Sequence, residues 1–420
     1  MVEGTTPVGS DFDPRLPRLP VVFDLDSVSA LFERHWTMTR QPEAPRVSVT
    51  AKALQDIKYE PGTQCVSTYE LITSQDGKPS LRALGVLRVE AEGVRVARPE
   101  EDPELDRLRE AMDPEYMWRR LESAPELKPE VTGPPRITML RYKPGLRCAL
   151  RYDVPTKSGD QVLFGKMLAQ GGEDTMFTLS QLHRRSAERN TMPGIAPPLL
   201  YWPQERLLLQ QAVDGDEFHS IVFDNQTEPH ERARWMRTAG ERLAGLHSVD
   251  DPPGPQRTLS EDVEELTNYT PAIAASDFEL ADLYSKEVGE IAARADASRR
   301  VPSHGAFRTD QFMVRGGELV LIDLDGYCWA DPARDIGNMF AYLRWRSIRQ
   351  PHHRAFVELA KSSFLEGYGS VRDLPVDRHI AVFEAASLLK IAGRRYRSLT
   401  WTEWHLIPRI IHDSHDLLEG

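Results

Sequence analysis

The chain has 420 residues, room for two or three domains at ~150 residues each. A net charge of −12 argues against a nucleic-acid or anionic-lipid partner, while 40% hydrophobic and 28% charged residues suit a packed globular protein. Three cysteines, Cys65, Cys148 and Cys328, suit neither a disulfide framework nor a zinc site.

Met1 to Pro20 is polar and Pro-rich, without the basic start and apolar stretch of a secretory signal. No apolar run approaches the ~20 residues of a membrane helix. The expectation is a cytoplasmic protein, with no membrane and no nucleic acid among its partners and with residues 1–20 flexible.

An internal repeat follows. Ile57-Lys58-Tyr59-Glu60-Pro61-Gly62-Thr63-Gln64-Cys65 aligns with Leu140-Arg141-Tyr142-Lys143-Pro144-Gly145-Leu146-Arg147-Cys148, and a second tyrosine, Tyr69 or Tyr152, recurs at equal spacing. In each copy a strand runs into a Pro-Gly reversal and returns with alternating apolar residues. Glycine-containing turns (Asp76-Gly77-Lys78 and Ser158-Gly159-Asp160) lead to third strands at Leu81–Val89 and Gln161–Leu168. Each copy therefore predicts a three-stranded antiparallel meander. Gly165-Lys166-Met167 in the second copy aligns with Gly85-Val86-Leu87 in the first, so the lysine has no counterpart there. Between the copies lie a short helix at Asp113–Ala124 and a linker at Leu127–Pro135.

Beyond Lys166 the pattern predicts a helix over Thr175–Arg189, then strands at Ile195–Tyr201 and Arg206–Val213. Asp214-Gly215 reads as an ordinary turn. Trp235 to His247 has helical apolar spacing, with His247 in a packing role. Ser260 to Arg300 is acidic and helical and carries no evident chemistry. Arg394-Arg395-Tyr396-Arg397 reads as a solvated helix face.

The segment Ser303-His304-Gly305-Ala306-Phe307-Arg308-Thr309-Asp310-Gln311-Phe312 is followed by Leu321-Ile322-Asp323-Leu324-Asp325 and then Asp331-Pro332-Ala333-Arg334-Asp335. These resemble the catalytic loop, the metal loop and the following helix start of the aminoglycoside phosphotransferase and choline kinase family. The resemblance runs from about Arg136 to the C-terminus. It implies an α+β, bilobal protein-kinase-like fold, preceded here by an N-terminal domain repeating the small-lobe antiparallel sheet. The corresponding domains are 21–134 (the duplicate), 135–213 (N-lobe) and 214–420 (helical C-lobe with both loops).

The same resemblance implies the site. Lys166 takes the place of the lysine that holds ATP phosphates, against the plain alternative of a surface lysine at a strand edge. Gln210, Gln211, Ala212 and Val213 fall at the adenine hinge. Asp323 and Asp325 are carboxylates for Mg2+, with Gln311 at the position of the family's metal-binding Asn. The departure is Ala306, which stands where the family has the aspartate that takes the substrate proton. His304, Arg308 and Asp310 flank it; a salt bridge to Asp331 or Asp335 is the expected role of Arg308. Asp331 is expected to cap a helix and Asp335 to brace the catalytic loop.

Three readings follow. The first is an ATP- and Mg2+-dependent phosphotransferase acting on a hydroxyl of a small metabolite, antibiotic or peptide. The second is a pseudokinase that regulates a protein partner through its N-terminal domain. The third is a different transfer from ATP, such as adenylylation.

Overall fold

The computed structural model describes residues 8–9, 11–38, 47–75, 80–124, 127, 131–294 and 300–420. The turn expected at Asp76-Gly77-Lys78 lies outside the described residues. So does part of the expected linker.

The first unit opens with a 3-10 turn and helix α1 (Leu25–Met38). Strands β1 (Val47–Glu60), β2 (Gln64–Gln75), β3 (Leu81–Glu90) and β4 (Gly93–Ala97) then form an antiparallel sheet in that order. Helices α2 (Leu108–Ala111) and α3 (Pro114–Glu122) lead into β5 (Arg136–Lys143), β6 (Arg147–Val154) and β7 (Gln161–Leu168). After α4 (Gly172–Glu188) come β8 (Gly194–Ile195), β9 (Pro198–Trp202) and β10 (Leu207–Gln211), completing a five-stranded sheet of order β5-β6-β7-β10-β9. Along β6, Cys148, Leu150, Tyr152 and Val154 point inward in strict alternation, the period of a strand with one face buried.

The helical half follows, with β11 (Asp216–Glu217), α5 (Phe218–Val222), α6 (Pro229–Leu246), α7 (Leu259–Thr267), α8 (Thr270–Ala274) and α9 (Phe278–Ala292). Strands β12 (Val301–Ser303), β13 (Phe312–Arg315), β14 (Glu318–Leu321) and β15 (Cys328–Ala330) frame the loops of interest. Helices α10 (Pro332–Arg349), α11 (Arg354–Gly369), α12 (Asp377–Arg397) and α13 (Ile407–Glu419) close the chain.

The strand expected over Ile195–Tyr201 is broken into two. Pro197 and Pro198 have no N–H to give a ladder. Ile195 instead pairs in parallel with Leu321 of β14, and β9 begins afresh beside β10.

The duplication is deeper than the aligned strands. Tyr59 pairs with Cys65, and Tyr142 with Cys148, so both hairpins share one register. The hydroxyl of Tyr59 and the amide of Gly62 both donate to Asp13 Oδ2, at 2.9 and 2.7 Å. In the second copy Tyr142 and Gly145 donate to Asp102 Oδ2 at 2.6 and 2.7 Å. Each acceptor opens a matching segment, Asp13-Pro14-Arg15-Leu16 or Asp102-Pro103-Glu104-Leu105, whose leucine is fully buried. Tyr69 donates to the Val22 carbonyl and Tyr152 to that of Ala111, again with equal spacing. Gly62 and Gly145 both take positive φ, 66° and 69°, which the tight reversal requires. The repeat therefore begins at Asp13, inside the segment expected to be flexible. Leu16 and Leu19 there, and Val22 just beyond it, are fully buried.

The ladders also correct the counterpart of Lys166. Lys166 pairs with Ala149, which the common hairpin register equates with Val66. Val66 pairs with Arg88, not with Val86. Glycine-based alignment fails because the two glycines sit at different ladder positions, Gly85 against Tyr69 and Gly165 against Leu150. Arg88 holds the lysine's place and is bonded to Gln64. On the same face Val66, Leu84 and Val86 join the apolar cluster of the second unit.

The first unit also reaches the helical half. Phe12 stacks on Trp404 with centroids 6.2 Å apart, Phe23 meets Trp401 edge-on at 4.6 Å, and Glu60 lies 3.6 Å from Arg397. Its core is continuous with that of the C-terminal helices.

Removing the shared acceptor should expose its importance. Asp13→Ala leaves a buried tyrosine hydroxyl and a turn amide without partners, an expected loss of about 2–3 kcal/mol. The urea midpoint should fall accordingly. An unchanged midpoint would show that the turn is held by other contacts.

Candidate active site

Strand β14, paired with β13 and β8, carries the chain to Ile322 and Asp323 at the mouth of a cleft. Asp323 adopts left-handed backbone angles (φ 58°, ψ 57°), uncommon for a residue with a Cβ. That bend turns the chain into a 3-10 turn at Leu324–Gly326 and brings Asp325 alongside.

From the opposite wall, β7 delivers Lys166. Its Nζ lies 3.2 Å from Asp323 Oδ1 and is also bonded to Asp325. Arg147, the first residue of β6 after the Pro-Gly reversal, completes the cluster through Asp325. Burial pushes the Lys166 amine below its ordinary range, against the opposing pull of Asp323. Burial would raise the Asp323 carboxyl, but Lys166 and Arg147 outweigh it and hold the acid low. Two cations thus neutralise two carboxylates across the cleft.

The loop before them is fastened by one buried carboxylate. Asp335 accepts the backbone N–H of His304 at 2.7 Å and of Gly305 at 2.9 Å. His247, at the end of α6, places Nε2 3.4 Å from the same carboxylate, while its Nδ1 lies 2.9 Å from the Tyr368 hydroxyl. Burial would raise Asp335, yet the His247 bond leads the interactions that keep it low. Gly305 has φ 79°, and a Cβ there would stand 2.0 Å from the Gly326 carbonyl. Only glycine lets the two loops come this close.

His304 is fully buried. Its Nδ1 receives the Ala306 N–H at 3.3 Å and its Nε2 faces the Ile322 carbonyl at 3.4 Å. These partners fit a neutral ring protonated on Nε2. Burial lowers its pKa in the same sense.

The residues singled out in the sequence divide into two groups. Lys166, Asp323 and Asp325 converge, and Gln210, Gln211 and Val213 line the same cavity of about 460 Å3. Ala212 gives its N–H to the Val162 carbonyl at 3.2 Å. Gln311 is buried; its carbonyl accepts from Ile322 N, and its side-chain amide donates to Asp310 at 3.2 Å. Ala306 lies in a second, smaller pocket beside α10 and α12. Arg308 bonds to Asp310 at 2.6 Å and to Tyr342 at 3.0 Å, not to Asp331 or Asp335. Asp335 is already filled by backbone donors, and Asp331 caps α10 by accepting from Ala333 at 2.8 Å.

Two features went unread in the sequence. Arg147 was visible as a break in the repeat, where the first copy has Gln64. The α7 acids Asp262 and Glu265, in a stretch that showed no chemistry, pair with Arg334 and Lys390 around Ala306.

Residues 181–374, which contain both loops and the Asp335 helix, match the family model described as the phosphotransferase enzyme family. Over these residues the chain is similar to the phosphotransferase enzyme family. Three solved structures share the architecture. An aminoglycoside phosphotransferase candidate from Ralstonia eutropha JMP134 has TM-score 0.52 and 14% identity, covering 75% of this chain and 98% of that one. An amicoumacin kinase in complex with AMP-PNP, Ca2+ and Ami has TM-score 0.53 and 15% identity, covering 74% and 96%. A choline kinase from Cryptosporidium parvum Iowa II has TM-score 0.50 and 12% identity, covering 73% and 97%. At such identities the likeness is one of fold, the kinase-like bilobal one. No curated protein matches the chain.

The His247 anchor predicts a pH dependence. Burial holds the folded-state pKa of His247 below its ordinary value. The unfolded chain therefore takes up the proton first, and stability is lost as pH falls below about 6.5. The melting temperature should drop between roughly pH 7 and 5, and His247→Gln should lessen that slope. Equal slopes would remove His247 from the acid response.

Proposed function

We propose that the chain is an ATP- and Mg2+-dependent phosphotransferase acting on a hydroxyl of a small metabolite, antibiotic or peptide. One observation carries this reading: Lys166 and the Asp323–Asp325 pair, far apart in sequence, meet across a cavity of ligand size. The relative solved with AMP-PNP and Ca2+ supports nucleotide and divalent metal as the ligand class.

The donor set fits these ligands. Asp323 and Asp325 offer hard oxygen ligands for Mg2+, with the Gln311 amide oxygen as a third candidate. Lys166 and Arg147 offer cations for the phosphates, and Gln210 to Val213 the wall for adenine. When bound, MgATP would supply the phosphoryl group, with Mg2+ offsetting charge on the phosphates. The chain's residues position: Asp335 fixes the loop, and neutral His304 holds the Ala306 amide. Ala306 supplies no base, a loss of ~10²–10⁴ in rate where a base is used. Phosphoryl transfer depends chiefly on positioning and charge, so activity is reduced and not abolished.

A nucleotide-binding pseudokinase is the second reading. It is favoured by Ala306 together with Asp310, four residues further along the loop, which is held by Arg308 and Gln311.

Thermal melts with and without MgATP test the first reading. The melting temperature should rise with the logarithm of ligand concentration, and Lys166→Ala or Asp323→Ala should remove the rise. A shift that survives both variants would place the nucleotide elsewhere. Ala306→Asp should increase ATP turnover at least about tenfold, and the gain should vanish in the Ala306→Asp/Asp323→Ala variant. Normal ATP binding without any gain would favour the pseudokinase.

A further inference from the structure

Behind Ala306 the catalytic loop forms one wall of a small cavity of about 40 Å3, enclosed by α7, α10 and α12. Its charge is unlike that of the molecule. Arg334 forks onto Asp262 with both contacts at 2.9 Å and donates to the Gly305 carbonyl at 2.6 Å. Arg257 bridges Asp262 and Glu265, and Lys390 donates to Glu265 at 2.7 Å. Arg394 stands 3.7 Å from Glu265 and 3.4 Å from the Tyr269 hydroxyl. On the opposite wall Arg308 is paired with Asp310 and lies over Tyr342. Among the pocket's lining residues Arg308, Arg334, Lys390 and Arg394 are cationic and Asp262 and Glu265 acidic, with Asp335 also acting on Arg334. Positive charge is in excess inside a chain of net charge −12.

Burial, then the neighbouring Arg394, push the Lys390 amine down to about 8, further than Glu265 can restore. Lys390 has three N–H donors, of which Glu265 accepts one. Arg394 uses Nε on a long contact to Tyr269, and its Nη2 stands 3.7 Å from Glu265. An aspartate at position 306 would place a further carboxylate at this cavity. Alanine leaves it positive.

We propose that this pocket is an anion site, taking the carboxylate or phosphate group of the molecule whose hydroxyl lies beside Ala306. The acceptor is thus a hydroxyl compound with an anionic group, bound by Lys390 and Arg394. Placing its hydroxyl there rests on the phosphotransferase reading above; the anion site itself does not. Long-range attraction into a positive pocket on an acidic protein also gives the ligand a defined approach.

The full-length protein is titrated by calorimetry at low salt with glycerol 3-phosphate, glycerate and glycerol. At least one anion should bind at up to about 10 mM, and glycerol should not. The two anions separate phosphate from carboxylate as the preferred group. Lys390→Gln and Arg394→Gln should each weaken the anion about tenfold or more, as for loss of a charge-assisted hydrogen bond. Lys166→Ala should leave it unchanged. Arg394 is largely exposed, so its variant keeps the test open should Lys390→Gln fail to fold. Absence of anion binding, equal binding of glycerol, indifference to Arg394→Gln, or loss in Lys166→Ala would each overturn the proposal. Anion binding that depends on Arg394 in a protein that does not bind MgATP would uphold the site and refute the phosphotransferase reading instead.

Discussion

A single buried carboxylate organises the functional half of this protein. Asp335, fully enclosed, collects the amides of His304 and Gly305 and the ring of His247. A charge so deeply buried is tolerated only when its lone pairs are filled. The requirement works in both directions: the loop satisfies the acid, and the acid fixes the loop. Because Gly305 then touches the Gly326 carbonyl, the Asp323–Asp325 loop is located by the same contact. Asp323, in its left-handed conformation, is held between that contact and strand β14.

The opposite wall of the cleft is built from a unit that the chain uses twice. In each copy one aspartate, opening an Asp-Pro-x-Leu segment, clamps a tyrosine and a turn glycine, and a second tyrosine reaches back to a backbone carbonyl. The copies diverge at the cleft-facing positions. Where the second presents Arg147 and Lys166 to the carboxylates, the first has Gln64 and Arg88 bonded to one another. Its neighbouring Val66, Leu84 and Val86 are packed against the second copy. The first unit thereby became part of the scaffold, joined on its other side to the C-terminal helices through Phe12, Phe23 and Glu60.

Under the proposed function, alanine at position 306 has two physical consequences. It offers no carboxylate to take a proton, and it leaves the adjoining pocket without a further negative charge. Arg308 and Asp310, which look available in sequence, pair with one another, so neither compensates for the first effect. The second effect ties the substitution to the ligand that the pocket can hold.

The kinase-like fold, the two loops and the cap at Asp331 were legible in the sequence, because each depends on local chemistry at fixed spacing. A glycine at a loop contact, a carboxylate after an apolar strand and an Asp-Pro helix start need no distant partner to be recognised. The repeat was legible for the same reason, in its Tyr-Pro-Gly-Cys frame. What sequence order could not convey was registry and pairing. A strand alignment on glycines put Val86 opposite Lys166, whereas hydrogen-bond ladders put Arg88 there. Which carboxylate meets Arg308, and that Asp262 and Glu265 reach across to Arg334 and Lys390, depend on how separate helices pack. Charge at a site sums over side chains brought together by folding, so the acidic character of the chain gave no sign of the positive pocket behind Ala306.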